Sequence, residues 1–155
     1  MRPRIYVDTS VIGGCLDEEF AEWSKRLFEE FRLGLKIAVV SDVTRRELAD
    51  APEAVRSELA DLPEGAVEDV PPSAEARQLA EEYVAAGVVA PSNRADAEHM
   101  AVASIRRVDV VASWNFRHIV NWGRIRAFNA VNLRLGYPLL EVRTPREVLR
   151  EEEDV

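Results

Sequence analysis

Ile5-Tyr6-Val7-Asp8-Thr9-Ser10 is a short run of β-favouring residues that ends in a carboxylate beside two hydroxyls. Branched and aromatic side chains suit a pleated strand, so residues 5–8 read as a first strand with Asp8 at its carboxyl edge. In open α/β sheets that edge is where ligands bind. Two further acids, Glu47 and Asp96, fall in helix-like segments that follow later strand candidates. Three carboxylates from distant parts of the chain can thus meet at one edge. Hard divalent cations take such donors and use them in phosphodiester hydrolysis.

Outward from this run, strand-like and helix-like segments alternate. Residues 18–35 carry Phe20, Trp23, Leu27, Phe28 and Phe31 at the spacing of an apolar helix face. A second strand is expected over 36–40, followed by a helix bearing Glu47 and capped by Ser41 or Asp42. Pro52 starts a short helix to about residue 62, and 66–70 is a third strand candidate. Ser73 caps a helix to residue 86, and Pro91-Ser92-Asn93 leads into another with Asp96 in its first turn. Residues 108–112 are almost wholly apolar, as a buried parallel strand should be. A helix over 124–135 stops at Gly136-Tyr137-Pro138, and 139–142 offers a last strand. Thr144-Pro145-Arg146-Glu147 is a capping box with proline at the first helical position. The pattern predicts one α/β domain over residues 1–150, a mainly parallel sheet covered by helices, and an acidic tail over 151–155.

Composition narrows the classes. A chain of 155 residues suits one domain with a proper core. No stretch approaches the ~18 continuous apolar residues of a membrane span, and the basic start Met1-Arg2-Pro3-Arg4 leads into a strand rather than a signal-peptide core. A cytoplasmic location is expected. Cys15, the single cysteine, allows no internal disulfide or thiolate cluster and is expected as a small buried or half-buried side chain. A net charge of −8 argues against non-specific coating of nucleic acid. The charge is nonetheless uneven: residues 110–140 hold no Asp or Glu, but contain Arg117, Arg124, Arg126 and Arg134.

Taken singly, the acids have plain alternatives. Asp8 and Asp42 can cap the turns that follow them, Glu47 can be a solvated helix residue beside Arg45 and Arg46, and Asp96 can answer the helix dipole. Four segments in order join them: Tyr6-Val7-Asp8-Thr9-Ser10-Val11-Ile12, Thr44-Arg45-Arg46-Glu47-Leu48, Asp96-Ala97-Glu98-His99-Met100-Ala101-Val102-Ala103 and Ser113-Trp114-Asn115-Phe116-Arg117-His118. In these the chain resembles the PIN-domain proteins of bacteria and archaea that include VapC-type toxins, from Ile5 to about Leu149. The resemblance implies a three-layer α/β/α fold and a Mg²⁺- or Mn²⁺-dependent ribonuclease. It places Asp8, Glu47 and Asp96 at the family's metal site, Asp8 and Asp96 as direct ligands and Glu47 as a ligand or water-orienting base. It also implies an RNA substrate, an antitoxin protein as partner and a homodimer. The fourth segment departs from the pattern: Asn115 stands where many relatives have an acid, and His118 where another often follows. Asn115 joins the catalytic set as a neutral donor or acceptor.

Around these acids, Thr9 and Ser10 are candidates for support or substrate contact, and Arg94 and Arg117 for substrate binding. His99, three residues past Asp96, reads as a packing or hydrogen-bonding residue, since the chain has only two histidines and cannot build a zinc site on them. Trp114, Phe116, Trp122, Phe128 and Tyr137 suit base stacking among arginines, but the expectation for most of them is the core or a dimer surface. An aspartyl-phosphate phosphatase would need an acid where Ser10 stands, a receiver-like site would need a lysine after Lys36, and no P-loop is present. The remaining rival is a PIN-type module that binds RNA or protein without turnover.

Overall fold

The computed structural model describes residues 1–153, with side chains as far as Leu149. The strands are β1 (Arg4–Val7), β2 (Ile37–Ser41), β3 (Val67–Val70), β4 (Val110–Ala112) and β5 (Val142–Arg143). All pairings are parallel and the order is β3-β2-β1-β4-β5, which puts β1 in the centre. The helices are α1 (Thr9–Gly14), α2 (Ala21–Arg32), α3 (Asp42–Ala49), α4 (Glu53–Ala60), α5 (Ala74–Ala85), α6 (Arg94–Ile105), α7 (Trp122–Leu135) and α8 (Pro145–Glu153). Three residues of the expected acidic tail continue α8, while Asp154 and Val155 lie outside the described residues.

The period-two geometry of the strands divides the core into two layers. Tyr6, Val39 and Val111 point to one face, where Leu79, Tyr83, Met100 and Phe128 of α5, α6 and α7 cover them. Ile5, Val7, Ala38, Val40 and Ala112 point to the other, against Val11, Leu27, Phe28, Phe31 and Val148. Each fully buried side chain of this size contributes roughly 1.5–3 kcal/mol. This is the three-layer α/β/α sandwich expected from the sequence. Cys15 is buried in the second layer.

Several boundaries differ from the sequence expectation, α2 by three residues at each end, and three differences have a clear physical reason. The reading passed over α1, whose six residues include two glycines, a serine and a threonine, all poor helix formers. Asp8 caps it and burial of Val11 and Ile12 holds it. The last strand was expected over 139–142 but comprises only Val142 and Arg143, because Leu139 is exposed and the Leu140 backbone is bonded to Asn129 instead. Helix α7 starts at Trp122, two residues early, with Asn121 as its cap. It ends at Gly136, whose φ of 82° is the left-handed conformation that glycine adopts freely.

Candidate active site

In a parallel sheet every strand ends at the same edge, and that edge receives the starts of the following helices. Asp8 ends β1 and caps α1. Its carboxylate is 3% exposed and accepts hydrogen bonds from Ser10 Oγ and Ser113 Oγ, each at 2.6 Å, and from the Val11 amide at 3.3 Å. Ser113 follows β4, the neighbouring strand, so the pairing of β1 with β4 brings these residues together across 105 positions. Burial pushes the Asp8 carboxyl above its usual range, opposed by His99 and the two serine hydroxyls.

Asp96 lies in the first turn of α6, half-buried. Its carboxylate accepts one hydrogen bond among the described residues, from Asn115 Nδ2 at 3.2 Å. Burial raises its pKa, and the charges of Asp8 and Glu47 raise it further against the pull of His99 and His118. The Asn115 amide donates to Ser113 Oγ at 2.9 Å, so Asp8, Ser113, Asn115 and Asp96 form one connected set.

Glu47 enters from α3, whose start Ser41 closes a capping box with Thr44. Thr9 Oγ1 donates to Glu47 Oε1 at 2.8 Å, and His99 Nε2 reaches the same oxygen at 2.5 Å. On the other side of the imidazole, Nδ1 lies 2.6 Å from the Tyr6 hydroxyl, which is itself 2.8 Å from Ser41 Oγ. Burial alone would favour neutral imidazole, but Tyr6, Glu47 and Asp8 prevail and hold His99 up to about 10. Burial would likewise raise Glu47, yet the hydrogen bond and charge of His99, with Thr9 and Arg46, bring it below its ordinary value.

The fold therefore carries Asp8, Glu47, Asp96 and Asn115 to one sheet edge. Thr9 and Ser10 serve as donors to Glu47 and Asp8 there. Arg94 is paired with Glu81 and lies 3.9 Å from Glu98. Arg117 is exposed on the loop after β4. Two participants, Ser113 and Tyr6, were given no role in the sequence reading, and Ser41 was read only as a helix cap. Ser113 and Tyr6 lie within the quoted segments, but only the strand pairing reveals what they touch.

No group of three or more His, Cys, Asp or Glu side chains among the described residues forms a ready-made metal cage. The donor chemistry nonetheless fits Mg²⁺ or Mn²⁺. Mg²⁺ usually takes one or two carboxylates and keeps several waters, and Asp96 has an uncommitted oxygen beside two other acids.

With this geometry the sheet and helices superpose on two solved structures. Mycobacterium tuberculosis VapC20, a sarcin–ricin loop cleaving toxin, matches at a TM-score of 0.55 and 17% identity, over 74% of this chain and 92% of that one. VapBC2 of Rickettsia felis, bound to a DNA fragment from its promoter, matches at 0.55 and 12% identity, over 91% and 98%. The fold is that of the VapC toxins. No protein-family model matches the chain, and no curated protein matches it in sequence. The VapC-like fold is thus carried by the arrangement of strands and helices at very low identity. No helix among the described residues is long and apolar enough to cross a membrane.

Proposed function

We propose that the chain is a Mg²⁺- or Mn²⁺-dependent ribonuclease, the toxin of a toxin–antitoxin pair. The observation that carries this reading is the meeting of Asp8, Glu47 and Asp96 at the carboxyl edge of β1 in a VapC-like fold. Isolated buried carboxylates are costly, and the mutual repulsion felt by Asp96 is what a divalent cation would relieve. Asp8 and Asp96 would hold the ion. When bound, it would polarise a phosphate oxygen and make water a better nucleophile.

The protein's own groups do the rest. Ser10 and Ser113 fix the Asp8 carboxylate, and Asn115 orients Asp96. Thr9 and His99 leave Glu47 Oε1 occupied, so its second oxygen is the one free to orient water. Arg117 supplies a positive charge for the RNA backbone, whereas Arg94 must first part from Glu81. The cytoplasm as location, an antitoxin protein that blocks this edge, and a homodimer are part of the same proposal. The VapC20 and VapBC2 likenesses support it.

The test is cleavage of end-labelled structured RNA with Mn²⁺ or Mg²⁺, comparing wild type with Asp8→Asn. Metal-dependent cleavage that vanishes in the variant supports the nuclease, and equal cleavage by both sinks the site assignment. A second reading, a PIN-type module that binds without turnover, is favoured by one feature: His99 already neutralises Glu47. Metal binding without cleavage of any RNA would select it.

A further inference from the structure

Five aromatic side chains and four arginines lie between residues 110 and 140, where a chain of net charge −8 has no acid at all. The fold sorts them. Trp114 is 8% exposed and Phe128 fully buried, while Phe116 is 50% and Trp122 76% exposed. Phe116 sits beside the acidic edge, since it follows Asn115, the residue that donates to Asp96, and Trp122 follows Asn121, which is bonded to the Phe116 carbonyl.

The Phe116 ring is held by its neighbours. Phe20 stacks on Trp114 with centroids 4.3 Å apart, and Phe116 leans on both rings at 6.3 Å. Trp114 is itself pinned, since its Nε1 donates to Ser24 Oγ at 2.9 Å and its backbone amide to Ser10 Oγ at 2.9 Å. The indole lies so close to α1 that a Cβ at Gly14 would fall 2.8 Å from its Nε1. Asn121 Nδ2 donates to the carbonyls of Phe116 and Arg117, at 2.7 and 3.1 Å, tying the loop to the start of α7 where Trp122 stands. The Arg126 guanidinium lies over the Trp122 ring at 5.4 Å, and the Arg117 side chain is without a partner among the described residues.

We propose that Phe116 and Trp122 form a stacking platform for unpaired RNA bases next to the acidic edge, with Arg117 meeting the backbone phosphate. This deepens the ribonuclease reading and rests on it. Exposed aromatic rings beside the Arg117 guanidinium provide the two components of single-strand binding, a π surface and a cation for phosphate. The preference is for unpaired strands, because a duplex keeps its base faces covered.

The experiment uses a short fluorescein-labelled oligoribonucleotide, free or annealed to its complement, titrated by polarisation at low salt in EDTA so that no cleavage intervenes. Wild type should bind the free strand more tightly than the duplex. Phe116→Ala and Trp122→Ala, both at exposed positions, should each weaken it by about tenfold, and Trp122→Phe should restore it. Equal affinity for both RNAs, or alanine variants that bind like wild type, would overturn the platform. Absence of binding to either RNA would also overturn it and assign the face to a protein partner. Mn²⁺-dependent cleavage is followed in parallel on the same proteins. Aromatic-dependent binding without cleavage retains the platform and sinks the nuclease; cleavage indifferent to both rings does the reverse.

Discussion

Asp8 and Asp96 are the same residue type at the same sheet edge, yet the protein treats them differently. Asp8 is sealed, caps a helix and accepts bonds from two serines and an amide. Asp96 is half-open and accepts one long bond from an asparagine. One carboxylate is part of the scaffold as well as the site. The other is left with capacity for a ligand. A buried polar network fully satisfied by protein holds its shape without the ligand, whereas an under-satisfied acid among like charges is poised to receive one.

The largest effects should come from these two acids. Asp8→Ala and Asp96→Asn should each lower RNA cleavage by at least about a hundredfold, but they should part in thermal unfolding. Asp8→Ala loses a helix cap worth about 1 kcal/mol, while Asp96→Asn should be neutral or stabilising because it removes a repelled charge. If Asp96→Asn is the more destabilised of the two, the distinction between scaffold and ligand acid fails. Next in size is the response to metal. Mn²⁺ at about a hundred times its dissociation constant should raise the wild-type stability by ~2.7 kcal/mol, and Asp96→Asn should abolish most of that gain in calorimetry.

Tyr6→Phe probes the scaffold from behind. It strips the hydroxyl that joins Ser41 to His99 and leaves both partners buried without it, a loss of about 1–3 kcal/mol in denaturant unfolding. A smaller effect should follow from pH. His99 is raised from 6.5 to about 10 in the folded protein, so its contribution is complete below the unfolded value and fades as pH rises through the folded one. The melting temperature of the metal-free protein should therefore decline between neutral and strongly alkaline pH, and His99→Gln should flatten that decline. Arg4 and Glu68 supply the mirror case and the smallest effect. Glu68 is lowered chiefly by its hydrogen bonds to Arg4, so its contribution persists above the ordinary glutamate range and is lost as acid titrates it. Partial exposure of both side chains keeps the gain slight.

Much of the fold was legible because its strands are β-branched runs and its helices carry strong caps. Ser73 and Ser41 mark helix starts at the level of sequence, whereas the Asn121 cap went unread and α7 was placed two residues late. Helix α1 was illegible because tertiary burial and one cap override weak propensity. The three acids could be proposed as one site through the four motif segments in which the chain resembles PIN-domain proteins. Their differences could not be read, since they depend on what lies across the sheet. Ser113 meets Asp8, and His99 meets Glu47 across 52 positions. The aromatic run shows the same limit: five similar side chains in sequence become buried struts and outward faces only when packed.

The central place of β1 has a consequence for biosynthesis. Of the five strands β1 is made before the others, yet it must end up between β2 and β4, and Ser113, which holds Asp8, is synthesised 105 residues after it. Contacts of such range form late in folding. The bonds from Ser10 and Val11 to Asp8 are local, but the edge can be complete only when the segment around Ser113 and Asn115 has emerged. A chain ended before Ser113 lacks the groups that hold Asp8 from across the sheet and orient Asp96.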